Sequence, residues 1–305
     1  MKHWDNYCSL SLVHFLAFPE CQTGDGPILE TVERIADDDF FSAIEVSRVN
    51  DASTRHQVAR LIAQTHLQVG FGAQPIILGD KLNPNSLDAT QREKAVETLK
   101  TYIAQAAEIG AGRFVLLSGL DPGPADRPAA ILHLINSLIE LCAYGRGHGI
   151  DLTLETFDRA VDKKALIGPA EEAAAVAVVV KAEFPDFGLL YDMGHMPLLD
   201  EAPLPALTIV QPHLVHAHVG NCVKISGRPS YGDLHPRFGF PGGENDVAQL
   251  VEFLQALFQI GYLREDPPIG RRPWVGFEVR PQASETSRAI LANLKRVWRE
   301  AWARL

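Results

Sequence analysis

Short apolar runs alternate with stretches of helical periodicity along the whole chain, and eight such pairs follow one another. Strands are predicted at residues 8–18, 40–46, 66–72, 113–118, 151–155, 187–191, 213–218 and 274–278, each an apolar or alternating run of β-compatible length. Helices are predicted between them at 28–36, 54–64, 128–144, 170–183, 201–209, 246–260 and 285–302. A further helix carries Val96, Leu99, Ile103 and Ala106 at helical spacing and stops at Gly110. In the fourth helix Ile131, Leu134, Ile135, Leu138 and Leu141 form one stripe, read as core rather than as a partner groove.

Strand-then-helix units repeated eight times, with no break in composition, predict an α/β chain folded as a (β/α)8 TIM barrel. A single domain over residues 1–305 is expected, since that length is near the usual size of one such barrel. The alternative is an open doubly wound sheet. Its Gly-x-Gly-x-x-Gly turn after strand 1 is missing, because Pro19-Glu-Cys-Gln-Thr-Gly stands there.

Composition narrows the setting. The chain is 46% hydrophobic and 22% charged, as in ordinary globular proteins, and no continuous apolar 20-mer is apparent, so no membrane span is expected. The opening Met1-Lys-His-Trp-Asp-Asn has no secretory apolar core, which predicts a cytoplasmic protein. Cys8, Cys21, Cys142 and Cys222 include no Cys-x-x-Cys pair and are read as reduced thiols. With 28 Lys and Arg against 38 Asp and Glu, the net charge is −10, which argues against nucleic acid or an anionic membrane as partner. The local exception, Arg271-Arg272, is read as a solvated loop.

The candidate chemistry gathers at strand ends. The stretch Gly188-Leu-Leu-Tyr-Asp-Met-Gly-His195 ends a buried strand on Asp192, and a glycine then lets the chain turn so that His195 can reach the same space. Alone, Asp-x-x-His is more often a helix cap or a surface pair. Here three more strands end on Glu155, His218 and Glu278, and in a barrel all four positions converge at the C-terminal mouth. Three buried carboxylates repel one another unless a cation joins them. Three oxygens and one imidazole suit Mn²⁺, Mg²⁺ or Co²⁺, with Zn²⁺ also admissible, and leave positions open for two neighbouring substrate oxygens.

Leu154-Glu155-Thr-Phe-Asp158-Arg159, Asp192-Met-Gly-His195, His216-Ala-His218 and Phe277-Glu278 resemble, in this order, the xylose isomerase-like sugar isomerase/epimerase superfamily. The nearest likeness is to the ketose (tagatose/psicose) 3-epimerase branch, whose pattern is Glu-x-x-Asn-Arg, Asp-x-x-His, His-x-His and a final Glu. The resemblance implies that Glu155, Asp192, His218 and Glu278 hold the metal and that Glu155 and Glu278 are also the acid/base pair. It implies that His195 binds a substrate oxygen and that Arg159 orients Glu155. A metal chelating a carbonyl and its adjacent hydroxyl stabilises the enediolate formed when a base removes the α-proton. Return of the proton to the opposite face is epimerisation; return along one face at the neighbouring carbon is isomerisation. The implied substrate is a small sugar or sugar-derived ketone, and members of the family are often homodimers or homotetramers.

The chain departs from the epimerase pattern at Lys224, where that branch has Arg, so the contact to the far end of a sugar is open. Asp233-x-His235 resembles the Asp-x-His ligands of abasic-site endonucleases on the same barrel. Those need further His ligands on strands 3 and 4; His66 opens strand 3, but strand 4 ends in Ser118, so a trinuclear set is incomplete. Asp233, His235 and Arg237 are therefore expected to line the sugar pocket with Lys224, and His14, Glu45 and Gln68 either face it or are satisfied interior groups. Three alternatives stay open: a polyol (inosose-type) dehydratase, an abasic-site endonuclease-like hydrolase, and a non-catalytic sugar-binding protein.

Overall fold

The computed structural model describes residues 2–267 and 272–305. Arg271, half of the basic pair noted above, lies outside them. Eight parallel strands close into a barrel in sequence order: β1 Ser9–Val13, β2 Ala43–Val46, β3 Gln68–Gly72, β4 Arg113–Leu117, β5 Asp151–Glu155, β6 Gly188–Asp192, β7 Leu214–Gly220 and β8 Trp274–Glu278. The ring helices are α1 Ile28–Ala36, α2 Ala52–Thr65, α3 Ala89–Ile109, α4 Arg127–Gly147, α5 Ala170–Lys181, α6 Pro203–Val210, α7 Val247–Gln259 and α8 Ser287–Trp302. The (β/α)8 expectation is met, and most elements fall within a few residues of their predicted bounds.

Local chemistry explains those bounds. The Asp51 carboxylate accepts the Thr54 amide at 2.7 Å and starts α2; the Asp88 carboxylate accepts the amides of Thr90 and Gln91 and starts α3. Gly110, at φ 89°, ends α3 in the left-handed conformation that a residue with a Cβ adopts at a cost. Asp246 and Gln249 form a capping box at α7. Strands β1, β2, β6 and β8 are buried throughout, because their outer faces pack on helices and their inner faces fill the barrel.

Two departures bear on the site. The run at 8–18 is not one strand: it leaves the sheet after Val13 and forms a short helix, His14–Ala17, over the C-terminal mouth. Periodicity cannot separate a buried strand from a buried helical turn in a continuous apolar run. Helix α4 is, by length and hydropathy, able to cross a membrane, though no apolar 20-mer was expected; here it is a ring helix packed against β5, α3 and α5.

Register brings the strand ends together. Asp192 pairs with His218 across β6 and β7, and His218 faces Gly276 across β7 and β8. A shift between Leu189 and Leu190 lets β7 carry one extra residue, Val215, below that level.

Candidate functional site

Glu155, Asp192 and Glu278 end β5, β6 and β8, His218 stands two residues before the end of β7, and the four meet inside the mouth. One ligand atom from each lies within 4.8 Å of all the others, and all four residues are buried. His218 Nδ1 is 3.0 Å from Glu278 Oε2 and 3.6 Å from Glu155 Oε1. Gly194 makes the Asp192 turn close: its amide donates to Asp192 Oδ1 at 2.6 Å, and a Cβ there would stand 3.3 Å from both carboxylate oxygens.

Beside this quartet lies a second donor set. His195 Nε2 is 3.2 Å from Asp233 Oδ1 and 3.5 Å from Asp192 Oδ2, while its Nδ1 donates to the Thr156 carbonyl at 2.7 Å. His235 Nε2 is 2.9 Å from the same Asp233 oxygen and 3.6 Å from Glu278 Oε1. Asp192, His195, His235 and Glu278 also satisfy a metal-ligand spacing, so the two sets share Asp192 and Glu278. Asp233 and His235 reach this place because the loop after β7 is pinned from beneath. Asn245 donates to the Met193 and Gly220 carbonyls, and Asn221 accepts the Cys222 and Asn245 amides and donates to the Arg237 carbonyl.

Several buried polar atoms of these sets have no hydrogen-bond partner: Glu155 Oε1, Asp192 Oδ2 and His235 Nδ1. Orphaned acceptors at full burial are costly, and a divalent cation satisfies them together. Three carboxylates and one imidazole fit a hard or borderline ion such as Mn²⁺, Mg²⁺ or Co²⁺.

Without a cation the imidazoles supply the counter-charge. Burial disfavours a charged His218, yet the carboxylates of Glu45, Glu155 and Glu278 outweigh it and hold the ring well above its usual range. His195 is likewise held well above its usual range, burial being outweighed by Asp233 and Asp192. His235 is pushed up to about 8 by Asp233 and Glu278 against the effect of burial. Asp192 is pushed up to about 6 by burial and by Glu278, against the pull of His195 and His235. Asp233 is held well below the carboxylate range, as His195, His235 and Lys163 overcome burial.

A cavity of about 140 Å³ opens onto this cluster, with Gln74, Lys163, Asp233, His235, Glu278 and Arg280 on its polar side and Phe15, Leu16 and Phe157 on its apolar side. Lys163 closes one edge: its ammonium donates to the Asp233 carbonyl at 2.7 Å and lies 3.3 Å from Asp233 Oδ2. The Asp158 carboxylate holds that loop by accepting the amides of Val161, Asp162 and Lys163. A larger cavity, about 590 Å³, sits at the other end of the barrel among Gln68, Arg113, Asp151 and Trp274, at the N-terminal ends of their strands.

Asp233 and His235 thus line the cavity at the mouth. Three cations do not. Arg159 does not touch Glu155; its guanidinium binds the Glu172 carboxylate and the Leu166 carbonyl, and the amide of Gln74 donates to Glu155 Oε2 instead, at 2.6 Å. Lys224 is exposed and paired with Asp200, and Arg237 is held by Glu285 at 2.8 Å, so neither lines the cavity. The reason is the same in each case: a neighbouring acid on the rim captures the cation.

Glu45 reaches the floor of the cluster, whereas His14 is buried under the rim against Thr31 and Gln68 bonds Ser9 and Trp274 at the far end. His66 caps α2 at an exposed position before β3, on the wrong side of the barrel for a third metal. The Ser118 hydroxyl accepts the Ile167 amide. Gln74 and Lys163 were not anticipated. Gln74 stands just past the end of β3, where the same strand-end rule applied to one more strand finds it; nothing local marks Lys163.

A family model described as xylose isomerase-like TIM barrel matches residues 30–296. No curated protein matches the sequence. Among solved structures, a D-tagatose 3-epimerase-like protein is similar with TM-score 0.69 at 16% identity, covering 97% of this chain and 99% of its own. D-psicose 3-epimerase with D-tagatose, from Clostridium cellulolyticum H10, has TM-score 0.63 at 19% identity, covering 97% and 96%. An AP endonuclease, family 2, from Brucella melitensis has TM-score 0.65 at 18% identity, covering 94% and 97%. At these identities the likeness is one of fold, which hosts more than one chemistry.

Proposed function

Because the chain belongs to the xylose isomerase-like TIM barrel family, we propose that it is a divalent-metal-dependent isomerase or epimerase of a small sugar or sugar-derived ketone. The observation that carries this reading is the buried quartet Glu155, Asp192, His218 and Glu278, with Glu155 Oε1 and Asp192 Oδ2 left without donors. A cation held there supplies positive charge where a carbonyl oxygen gains negative charge as its α-proton leaves. Glu155 and Glu278 are the proton carriers. One removes the α-proton and the other returns it, and placement on opposite faces of the substrate carbon inverts that carbon. Gln74 fixes Glu155 through its amide, leaving Oε1 directed at the cluster. Phe15, Leu16 and Phe157 keep water from the reacting carbon, and His235 and Lys163 present donors to substrate hydroxyls.

A second reading, a two-metal hydrolase, draws on one observation: His195 and His235, both in contact with Asp233, form with Asp192 and Glu278 a second group at metal-ligand spacing that shares those two carboxylates with the first. Metal content and solvent exchange separate the two readings. The protein is incubated with Mn²⁺ in D₂O with ketoses, ketose phosphates and inososes, beside a chelated control, and followed by NMR. Deuterium at one carbon next to a carbonyl, only with metal, supports the isomerase reading. Two tightly bound metals with no exchange on any substrate would overturn it.

A further inference from the structure

Glu45 lies beneath the quartet and belongs to none of its ligands. Its carboxylate stands 3.0 and 3.2 Å from His218 Nε2, on the side of the ring opposite the Nδ1 that faces Glu155 and Glu278. The Ser11 hydroxyl donates to Glu45 Oε1 at 2.7 Å, and His216 Nε2 lies 3.2 Å from the same oxygen. All four side chains are buried inside the barrel. The strands around them are cleared: a Cβ on Gly276 would stand 2.6 Å from Glu45 Oε1 and from His218 Cδ2, and one on Gly70 would stand 3.3 Å from Glu45 Cγ.

We propose that Glu45 is a positioning residue that fixes which nitrogen of His218 is free to bind metal. The inference rests on the metal-site reading above. A neutral imidazole has one N–H, and an ionised carboxylate can only accept. Without a cation, carboxylates face both ring nitrogens; where a cation would take the place of the Nδ1 proton, the two Glu45 oxygens at Nε2 hold the remaining ring proton there and leave the Nδ1 lone pair facing the quartet. A partner able to donate at that place stabilises the other tautomer, whose Nδ1–H points at the cation and cannot ligate. Gly276 serves the same end by letting β8 pass close enough for Glu45 and His218 to meet. Outer carboxylates that hold a ligating histidine are commonly worth about 10–100-fold in metal affinity.

The test compares wild type, Glu45→Gln, Glu45→Asp and Gly276→Ala. Mn²⁺ affinity is measured by competition with a chelator, and the place of the remaining His218 ring proton by ¹⁵N NMR of the protein loaded with diamagnetic Mg²⁺, with thermal unfolding as the check on folding. Wild type is expected to bind Mn²⁺ with His218 protonated on Nε2. Glu45→Gln should weaken binding about 10–100-fold and populate Nδ1–H, Glu45→Asp should restore part of the affinity, and Gly276→Ala should weaken binding without altering any charge. A folded Glu45→Gln variant with unchanged affinity and unchanged tautomer overturns the proposal. So does loss of one whole metal equivalent from a two-metal wild type, which would make Glu45 a ligand. Failure of wild type itself to bind Mn²⁺ refutes the metal-site reading instead, and is thereby told apart.

Discussion

Replacing Asp192 by asparagine should make the metal-free protein more stable and abolish the stability that metal adds to it. In the cation-free cluster, burial and Glu278 push Asp192 up to about 6 from the usual 3.8. A displacement of about 2 units is a penalty of ~3 kcal/mol on the ionised side chain, all of it present at pH 8. Asparagine keeps the shape and drops the charge, so it removes most of that penalty. For a chain of 305 residues the unfolding entropy is about 0.6 kcal/mol/K, so the midpoint should rise by ~5 °C in chelator.

The sign of the pH dependence is set by the raised value. Between about 4 and 6 the native state holds more protons than the unfolded one, so its stability falls as pH rises through that window, and the advantage of asparagine should shrink to ~1 kcal/mol at pH 4.5. With Mn²⁺ at 100 times its dissociation constant, wild type gains about 2.7 kcal/mol, or ~4 °C, which the variant forgoes. Calorimetry of both proteins, chelated and loaded, at pH 8 and 4.5 reads all of this. A chelated Asp192→Asn protein less stable than wild type at pH 8, or an equal gain from Mn²⁺ in both, would refute the reasoning.

Glu278→Gln should lower turnover on any substrate found by at least about 10²-fold, the usual worth of a positioned base, while weakening Mn²⁺ binding only partly. Steady-state kinetics beside metal titration checks it, and normal turnover removes Glu278 from proton transfer. Mn²⁺ binding at pH 7 should release protons, because His218 is held well above its usual range without metal and a ligating imidazole must be neutral. Affinity should accordingly rise with pH, and titration calorimetry in buffers of different ionisation enthalpy counts the protons; a buffer-independent heat contradicts the charge assignment. Gln74→Leu removes the donor to Glu155 Oε2 and should cost about 1–3 kcal/mol in chelated protein, with part regained on metal loading. Denaturant unfolding with and without Mn²⁺ measures it, and an unchanged midpoint would mean that Glu155 finds another donor.

The barrel and the quartet were legible in the sequence because each depends on local pattern. Alternating runs of strand and helix length specify eight units, and a parallel barrel carries every strand end to one mouth, so Glu155, Asp192, His218 and Glu278 could be placed together without coordinates. The turn after Asp192 was legible too, and there the Gly194 amide donates to Asp192 Oδ1, with room for a Cβ only 3.3 Å from the carboxylate. Long, flexible cations were another matter. Arg159, Lys224 and Arg237 have reach enough for either the pocket or a rim acid, and only the positions of Glu172, Asp200 and Glu285, each distant in sequence, decided for the rim. The tertiary structure alone decided that His14 leaves the sheet, that Lys163 crosses to Asp233, and that Glu45 stands under His218, 173 residues away. Strand ends are fixed by backbone geometry that repeats along the chain. Side-chain partners are fixed by distances across the barrel, to which sequence spacing carries no measure.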